Sequence, residues 1–357
     1  MKFVHLADLH LDAKFDSLSS IDGLPQKRRL EQRKALKDVV EYIKENDIKL
    51  FLISGDLYEQ NYIRKSSIEY VNKLFEEIPD TQIFIAPGNH DPYIKNSFYS
   101  TYTWSKNVHI FNENIEKIDF EDAHIYGFGF TDFYCKQSEI EEIQVEEPDD
   151  INILITHGSL DGGSDDLREY NPLRQSKLKQ LDFDYIALGH IHKPYYNEEK
   201  NQKIFYPGST ISLGFDELGE HGILVGDIEK DELKVKFMTI DPRQYEEKKV
   251  DITEMTSNEE VLEKLQNLVL NNENLYKIIL VGKRYFTLNI DEIKKLNSRE
   301  NIVKIKDKTK VGIDIERIAE ENNVRGIFVR NMLERKEREN LDEDFIEKAI
   351  EIGLEVL

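Results

Sequence analysis

Short polar motifs that contain His, Asp or Asn follow apolar runs at five places in this chain. They read Asp8-Leu9-His10, Gly55-Asp56, Gly88-Asn89-His90-Asp91, His157-Gly158 and Gly189-His190-Ile191-His192. Mixed oxygen and nitrogen donors of this kind can hold two divalent cations, which together clamp the attacking and leaving oxygens of a phosphoester. The motifs therefore predict a two-metal centre for phosphoester cleavage.

The prediction depends on the series of motifs, because any one of them could be an ordinary strand end. Asp8 and His10 are two residues apart, so they point to the same side of an extended chain and could hold one cation. His190 and His192 have the same spacing but lie in an expected turn, so they could serve different cations. The mixed donor set suits Mn²⁺, Fe²⁺ or Zn²⁺ better than Mg²⁺, which favours oxygen ligands and water. The histidines outside the motifs are predicted to be structural or surface residues: His5, His109, His124 and His221.

The elements around the motifs are predicted to alternate between strand and helix. Apolar runs of about five residues are typical of strands buried on both faces of a sheet. They occur at residues 3–7, 50–54, 82–86, 124–128, 151–156 and 185–188, with helices predicted at 26–46 and 66–77. This pattern indicates a layered α/β domain, and the motifs lie at the carboxyl ends of its strands, where such sheets usually bind ligands.

The pattern changes after His192. Strands are predicted at 203–206, 222–227 and 233–239, and the polar, proline-marked segment 241–249 is predicted to be a domain boundary. A smaller α+β unit should follow, with helices at 258–271 and 290–297 and strands at 275–281 and 302–305. Amphipathic helices are expected at 315–321, 324–339 and 345–357.

The composition limits the classes of function. The chain has 357 residues, 39% of them hydrophobic, and a formal net charge of −22, whereas nucleic-acid binders are usually basic. Charge therefore argues against this chain gripping DNA alone. Cys135 is the single cysteine, which excludes an intrachain disulfide and suits a reducing compartment. We find no apolar run of the roughly 18 residues that span a membrane and no room for a signal peptide before the first strand, so we expect a cytoplasmic protein.

Three segments resemble the SbcD nuclease family of calcineurin-like metallophosphoesterases, which includes YhaO-like bacterial members. They are HLADLHLDAKF at residues 5–15, FDYIALGHIHKP at 183–194 and YPGSTISLGF at 206–215. The resemblance implies a calcineurin-like β-sandwich flanked by helices, with a small α+β capping domain and C-terminal helices. It assigns residues 1–243 to the metallophosphoesterase domain, 248–311 to the capping domain and 312–357 to a helical segment that docks an ATPase.

The same resemblance implies a role for each motif residue. Asp8, His10 and His192 would hold the first cation and Asp56 would bridge both, with Mn²⁺ favoured and Fe²⁺ or Zn²⁺ as alternatives. The second cation would have the ligands Asn89, His157 and His190. His90 would be the general acid that protonates the leaving oxygen. At position 59 relatives usually carry His or Asp, but this chain has Glu59, which could accept a hydrogen bond from His90 and keep it protonated, or could face solvent.

The implied activity is Mn²⁺-dependent DNA hydrolysis, as an exonuclease with endonuclease action on single strands or hairpins. It would serve DNA repair and recombination, in a homodimer and with an SbcC-like coiled-coil ATPase as partner. A phosphodiesterase or phosphatase for small molecules or phosphoproteins would use the same metal ligands and remains an alternative. A non-catalytic DNA-end or ATPase adaptor is a third hypothesis, which the intact ligand set disfavours.

Several side-chain clusters could contact DNA or a partner, and each could equally have a structural explanation. Two basic clusters could track phosphates or be solvated faces: Arg28, Arg29, Arg33 and Lys34, and Lys304, Lys306, Lys308 and Lys310. A group of aromatic residues could stack on bases or simply pack: Tyr93, Phe98, Tyr99, Tyr102 and Trp104. Helical spacing could make Phe345, Ala349, Ile350 and Leu354 anchors in a partner's groove or part of this chain's own core.

Overall fold

The computed structural model describes residues 1–19, 21–161, 170–196, 202–230 and 232–357. These residues form two compact units. The first comprises Met1–Glu246 and Asn272–Leu275, and the second comprises Glu247–Asn271 and Tyr276–Leu357. Among the described residues, no helix has the length and apolar character needed to cross a membrane.

The first unit is built on two sheets. Its strands are β1 (Lys2–Leu6), β2 (Leu50–Ile53), β3 (Gln82–Ile85), β4 (Val108–Ile110), β5 (Glu116–Phe120), β6 (Ala123–Phe128), β7 (Ile151–His157), β8 (Tyr185–Gly189), β9 (Ile204–Phe205), β10 (Gly222–Glu229) and β11 (Glu232–Thr239). The first sheet has the order β11-β10-β1-β2-β3-β4 and the second has the order β5-β6-β7-β8-β9. Strands β1 to β4 are parallel, as are β6 to β9, so their carboxyl ends lie at one edge of each sheet.

Three strands of the first sheet, β1, β2 and β3, are buried on both faces because alternate residues enter different cores. Phe3, Leu52 and Phe84 face the second sheet and pack with Ile153 and Tyr185. The residues between them, such as Val4, Phe51 and Ile83, pack against the helices on the other face. This two-residue alternation is the geometry of a pleated strand, and it makes the two sheets a sandwich. The prediction of an α/β fold built on a β-sandwich is confirmed.

Helices cover the outer face of the first sheet. They are α1 (Leu24–Glu45) and α2 (Lys65–Glu76), with the short helices α3 (Phe98–Thr101) and α4 (Gln175–Leu178) elsewhere in the unit. Leu36, Val39, Val40 and Ile43 recur at helical spacing on the buried face of α1. A proline in the first turn suits the start of α1, because its missing N–H has no intrahelical partner there.

The second unit has its own small core. Its elements are β12 (Tyr245–Asp251), α5 (Asn258–Gln266), β13 (Leu275–Val281), β14 (Lys283–Arg284), α6 (Ile290–Leu296), β15 (Ile302–Asp307), β16 (Lys310–Val311), α7 (Ile315–Ala319), α8 (Val324–Glu339) and α9 (Glu343–Val356). A sheet of order β12-β13-β15 packs against α5 and α6 through residues such as Ile278 and Leu265. The helices α7 to α9 pack together around Ile318, Val329 and Ile350.

The structure corrects several predicted elements. The segment predicted as a boundary, 241–249, is a strand from Tyr245 onward, and the division between the two units falls within it, after Glu246. Within this strand Tyr245 and Val250 are buried, and the four polar residues between them are half-buried or exposed. The helix predicted at 258–271 ends at Gln266. Ile350 and Leu354 are buried in the core of the C-terminal helices, so they are not available as anchors for a partner.

Arg28 is also not a phosphate contact. Its side chain is fully buried in the first unit, where it donates to Asp241 Oδ1 and Oδ2 at 3.0 and 2.8 Å and to the Ser212 carbonyl at 2.9 Å. A buried guanidinium costs desolvation energy, which this bidentate pairing offsets. Arg28 therefore joins α1 to the chain that follows β11.

We expect Arg28→Ala to lower the free energy of unfolding of the first unit by about 3–5 kcal/mol, because it leaves the buried Asp241 without its cation. Urea denaturation measures the change. Lys34→Ala is the matched control, since Lys34 is exposed and its bond to Asp38 is a surface ion pair worth about 0.5 kcal/mol. Equal effects of the two substitutions would contradict the structural role of Arg28.

Candidate metal centre

The strand ends of both sheets bring the predicted ligands together. Asp8 and His10 follow β1, Asp56 follows β2, and Asn89 with His90 follows β3. His157 is the last residue of β7, while His190 and His192 follow β8. All of these side chains lie in the first unit, and three overlapping groups of them have potential ligand atoms within 4.8 Å of one another: Asp8, His10 and His192; His10, Asp56 and His90; Asp8, Asp56 and His157.

The backbone at these strand ends adopts a conformation that is unusual for residues with side chains. Asp8, His10, Asp56 and His190 have φ angles of +50°, +49°, +52° and +102°. Non-glycine residues in this region cost of order 1–3 kcal/mol each and concentrate at functional sites. The turns direct side chains into the cluster instead of letting the strands continue.

Glycines beside the ligands allow the two sheets to approach closely. A Cβ at Gly55, where φ is +90°, would lie 2.4 Å from Nδ1 of His157. A Cβ at Gly189 would lie 2.0 Å from the carbonyl oxygen of Ser54. Both glycines are therefore required by the contact between the ends of β2, β7 and β8.

The first half of the cluster contains Asp8, His10 and His192. Nε2 of His10 lies 3.1 Å from Nε2 of His192, so two imidazoles converge on one point. Both carboxylate oxygens of Asp8 accept from the backbone N–H of His190, at 3.0 and 3.1 Å. Burial raises the pKa of Asp8, although the imidazole of His192 acts in the opposite direction.

Asp56 lies between the two halves. Its Oδ1 accepts from the backbone N–H of His90 at 2.8 Å. Its Oδ2 lies 3.4 Å from Nε2 of His157 and 3.7 Å from Nε2 of His10. Burial would raise the pKa of Asp56, but the imidazole of His157 outweighs burial and holds that pKa well below its usual value. Asp56 is therefore close to a candidate ligand of each half of the cluster.

The second half of the cluster converges on the amide oxygen of Asn89. This oxygen lies 3.0 Å from Nε2 of His157 and 3.2 Å from Nδ1 of His190. Burial lowers the pKa of His190 to about 3, so this imidazole is neutral at ordinary pH. A neutral imidazole and an amide oxygen are suitable ligands for a divalent cation.

The histidines are oriented as metal ligands usually are. Nδ1 of His10 donates to Glu59 at 2.8 Å, Nδ1 of His157 donates to the Ser54 carbonyl at 2.9 Å, and Nδ1 of His192 donates to Glu217 at 2.6 Å. In each case Nε2 faces the cluster. Ligand histidines typically donate their other nitrogen to a carboxylate or carbonyl, which fixes the tautomer and the ring orientation. The residues present therefore fit a pair of divalent cations.

Glu59 contacts His90, which is one of the two alternatives that the sequence left open. Nδ1 of His90 donates to Glu59 Oε2 at 3.1 Å, while Oε1 holds His10. Burial lowers the pKa of His90, but the hydrogen bond to Glu59 outweighs it and raises that pKa to about 9. The ring of His90 also lies edge-on to His10, with centroids 4.7 Å apart. One carboxylate thus joins a predicted metal ligand to the predicted general acid.

Asp91 has a structural role that the sequence did not predict. It is fully buried and accepts from the backbone N–H groups of Asp56, Leu57 and Gly88 at 3.0, 2.7 and 2.7 Å, and from the Tyr99 hydroxyl at 2.7 Å. Burial raises the pKa of Asp91 to about 6. Its place within the motif Gly88-Asn89-His90-Asp91 was the available signal.

Glu217 is a second residue that the sequence did not identify. One oxygen accepts from His192, and the other accepts from the Ser209 hydroxyl at 2.8 Å and the Leu213 N–H at 3.0 Å. Burial would raise the pKa of Glu217, but the bond from His192 lowers it to about 2. The signal was its position two residues after the segment YPGSTISLGF.

The aromatic residues that follow His90 pack into the core and do not form a base-stacking surface. Tyr99 is buried against Tyr58, and its hydroxyl bonds Asp91. Trp104 donates to the Phe98 carbonyl at 3.0 Å and packs on Phe75. The histidines outside the motifs bond other residues: His5 contacts Tyr185 and Ser54, His109 contacts Glu116, His124 contacts Asp119, and His221 contacts Ser209.

Comparison with known proteins gives one family. The model of the calcineurin-like phosphoesterase family matches residues 1–194. The uncharacterized metallophosphoesterase YhaO of Bacillus subtilis (strain 168) is 26% identical over 264 residues, which cover 71% of this chain and 64% of that protein. The SbcD component of nuclease SbcCD from Staphylococcus epidermidis (strain ATCC 12228 / FDA PCI 1200) is 27% identical over 266 residues, or 65% of this chain and 67% of that protein. The chain thus matches about two thirds of the length of these relatives. A crystal structure from Thermus thermophilus aligns over 66% of this chain and 98% of its own with a TM-score of 0.40 and 8% identity, a likeness too low to support an argument.

Cation binding should release protons from this cluster. Burial lowers the pKa of both His157 and His192, but Asp56 and Glu217 respectively outweigh it and raise each pKa to about 9. At pH 7 both imidazoles are therefore protonated, and a cation must displace those protons to bind. We expect Mn²⁺ affinity to rise as pH increases towards 9, by about tenfold per pH unit for each proton displaced.

Calorimetric titration with Mn²⁺ in two buffers of different ionisation enthalpy measures the number of protons released. His109→Gln, which removes a peripheral histidine that bonds Glu116, should release the same number as the wild type. Identical binding enthalpies in the two buffers at pH 7 would contradict the prediction.

Proposed function

The chain belongs to the calcineurin-like phosphoesterase family, and we propose that it is the nuclease subunit of a DNA-repair complex. Family membership makes it a metal-dependent phosphoester hydrolase. The finer proposal is Mn²⁺-dependent exonuclease action on DNA, with endonuclease action on single strands or hairpins. The observation that carries it is the cluster of paired ligand sets with a proton-donating histidine at its edge.

We assign the ligands as the sequence suggested. Asp8, His10 and His192 hold one cation, and Asp56 bridges. Two divalent cations, Mn²⁺ in preference to Fe²⁺ or Zn²⁺, would polarise the phosphodiester and activate water. The other cation has the ligands Asn89, His157 and His190. Asp56 Oδ2 lies 3.4 Å from Nε2 of His157 and 3.7 Å from Nε2 of His10, so it is close to one proposed ligand of each cation, which supports the bridging role.

We assign the role of general acid to His90. Its pKa of about 9 keeps it protonated near neutral pH, so it can donate a proton to the leaving oxygen. Nδ1 is occupied by Glu59, which leaves Nε2 as the atom that would face the substrate. The geometry alone would also allow His90 to be a ligand beside His10 and Asp56. Its side chain is 44% exposed, the position expected of a group that meets substrate at the edge of the cluster.

DNA is the proposed substrate because a relative is named as a component of nuclease SbcCD. Four lysines on or after β15 are exposed and would contact phosphates: Lys304, Lys306, Lys308 and Lys310. We assign residues 1–243 to the nuclease domain and 248–311 to a capping domain. With a net charge of −22, the chain would rely on a partner for most of its hold on DNA.

The proposed partner is an SbcC-like coiled-coil ATPase, with residues 312–357 as its docking region and with the nuclease subunit itself a homodimer. Phe345, Ile352 and Val356 of α9 are 62%, 57% and 84% exposed. An amphipathic helix with exposed apolar side chains can occupy a groove in a partner. These residues replace Ile350 and Leu354 as the proposed anchors.

A small-molecule or phosphoprotein phosphodiesterase would use the same ligands, so the substrate must be tested directly. We expect the wild type with Mn²⁺ to degrade end-labelled single- and double-stranded DNA. We expect His90→Gln to retain Mn²⁺ but lose activity by about 10²–10⁴-fold, the usual contribution of general acid catalysis. The measurements are product release on gels and Mn²⁺ binding by calorimetry, with His109→Gln as the control.

The results for His90→Gln would distinguish a general acid from a metal ligand. Normal activity of His90→Gln would remove His90 from the chemistry, and loss of Mn²⁺ binding would make it a ligand. If the wild type binds Mn²⁺ and hydrolyses a small diester but leaves DNA intact, even with the ATPase present, the nuclease proposal is wrong.

The docking proposal predicts that a double substitution of Phe345 and Val356 by Glu weakens binding of the cognate ATPase by about 30-fold, as expected for loss of a 2 kcal/mol anchor. Surface plasmon resonance measures the affinity. Val269→Glu is the control, since Val269 is 91% exposed but lies outside the C-terminal helices. Unchanged affinity of the double variant would rule out this face as the docking surface.

A further inference from the structure

Two tyrosines extend the second half of the metal centre towards solvent. The ring of Tyr170 lies against the imidazole of His190, with centroids 5.0 Å apart and an angle of 35° between the planes. Tyr134 stacks on Tyr170 with centroids 5.9 Å apart and planes at 29°. The three rings thus form a row that begins at a proposed metal ligand. Tyr134 ends the row and is 55% exposed.

Backbone and side-chain bonds connect this row to the metal centre. Cys135, next to Tyr134, forms a parallel bridge with Tyr170, and the Asn171 N–H donates to the Cys135 carbonyl at 2.5 Å. The side-chain amide of Asn171 (Nδ2) donates to the backbone carbonyl of His157 at 2.8 Å. Both tyrosines are therefore attached to the end of β7, where a proposed ligand lies. The fold therefore fixes the position of both tyrosines relative to the proposed metal centre.

A cavity of about 690 Å³ opens beside Tyr134. Phe130 lines it and also contacts the ring of His157, with centroids 5.6 Å apart, so one side chain lies between the cavity and a proposed metal ligand. Its wall contains the amides of Asn114 and Gln137, which could bond the edge of a base, whereas the hydroxyls of Thr131 and Ser138 donate to Glu113 and Asn171. An exposed aromatic face beside polar groups is suited to a planar, hydrogen-bonding ligand.

We propose that Tyr134, supported by Tyr170, is the stacking platform for one unpaired nucleobase next to the phosphodiester that is cleaved. The proposal rests on the nuclease function proposed above and names the form of its substrate. Every base has a π-face, so stacking on an aromatic ring binds single strands with little regard to sequence. In an acidic chain such stacking supplies affinity that does not depend on positive charge.

The platform selects for unpaired DNA. A base within a duplex already has neighbours on both faces, so it must leave the stack before it can lie on Tyr134. Frayed ends, single strands and hairpin loops offer such a base at little cost. His90 contacts Glu59 and His10 in the other half of the cluster. The platform therefore lies on the side of the centre away from the proposed general acid.

The test measures base stacking directly, apart from cleavage. The probes are single-stranded oligothymidylates with phosphorothioate linkages, which resist hydrolysis, and with one 2-aminopurine at the 5′ or the 3′ end. Stacking on an aromatic ring quenches 2-aminopurine fluorescence. We expect quenching with the wild type and with Tyr134→Phe, in Mn²⁺, for one of the two probes. Tyr134→Ala should lose the quenching and about tenfold in affinity, the scale of one base–aromatic stack.

Tyr196→Ala is the matched control. Tyr196 also belongs to a stacked pair of the first unit, on Phe237 with centroids 5.5 Å apart, and it has no place in the proposed metal centre. It should keep wild-type quenching and affinity. Wild-type quenching by Tyr134→Ala would overturn the platform and leave the nuclease proposal standing. Failure of the wild type to bind either probe, alone and with the ATPase, would overturn both proposals.

Discussion

The geometry of the candidate metal centre depends on the hydrogen bonds that the carboxylate of Asp91 accepts. It is fully buried and accepts from the backbone N–H groups of Asp56, Leu57 and Gly88 and from the Tyr99 hydroxyl. Four donors to one buried acceptor form a network in which each bond is strengthened by the low dielectric. The loops after β2 and β3 are thereby held in one arrangement, and with them Asp56, Asn89 and His90, the proposed bridging carboxylate, amide ligand and proton donor.

Oppositely charged side chains of the cluster stabilise one another's charged forms. Contact with His157 lowers the pKa of Asp56, and the pKa of His157 rises in turn. Glu59 and Glu217 each accept a hydrogen bond from a ring nitrogen and orient the other nitrogen inward. The left-handed backbone at Asp8, His10 and Asp56 is strained, and the buried sandwich beneath it provides the packing that keeps those turns in place.

The predictable part of this structure is the part that repeats along the chain. Apolar runs followed by Asp, His or Asn placed the ligands at strand ends, because parallel strands share one carboxyl edge. Asp91 and Glu217 were missed because their partners are set by tertiary contact, 35 residues away for Asp56 and 25 for His192. Arg28 was misread because a basic residue on a helix reveals nothing about which face is buried. For the aromatic residues after His90 the sequence left stacking and packing open, and the structure shows packing, whereas Tyr134 lies in a loop whose path no periodicity indicates.

The candidate ligands come from both sheets of the sandwich. Asp8, His10, Asp56 and Asn89 follow strands of the first sheet, whereas His157, His190 and His192 follow or end strands of the second. Cations bound by ligands from both sheets would link the two sheets and stabilise the folded unit. A ligand at 100 times its dissociation constant adds about 2.7 kcal/mol to folding stability. Chelation would then weaken the fold and stop the chemistry in a single event, so resistance to heat or proteolysis would report the loading of the centre without any substrate.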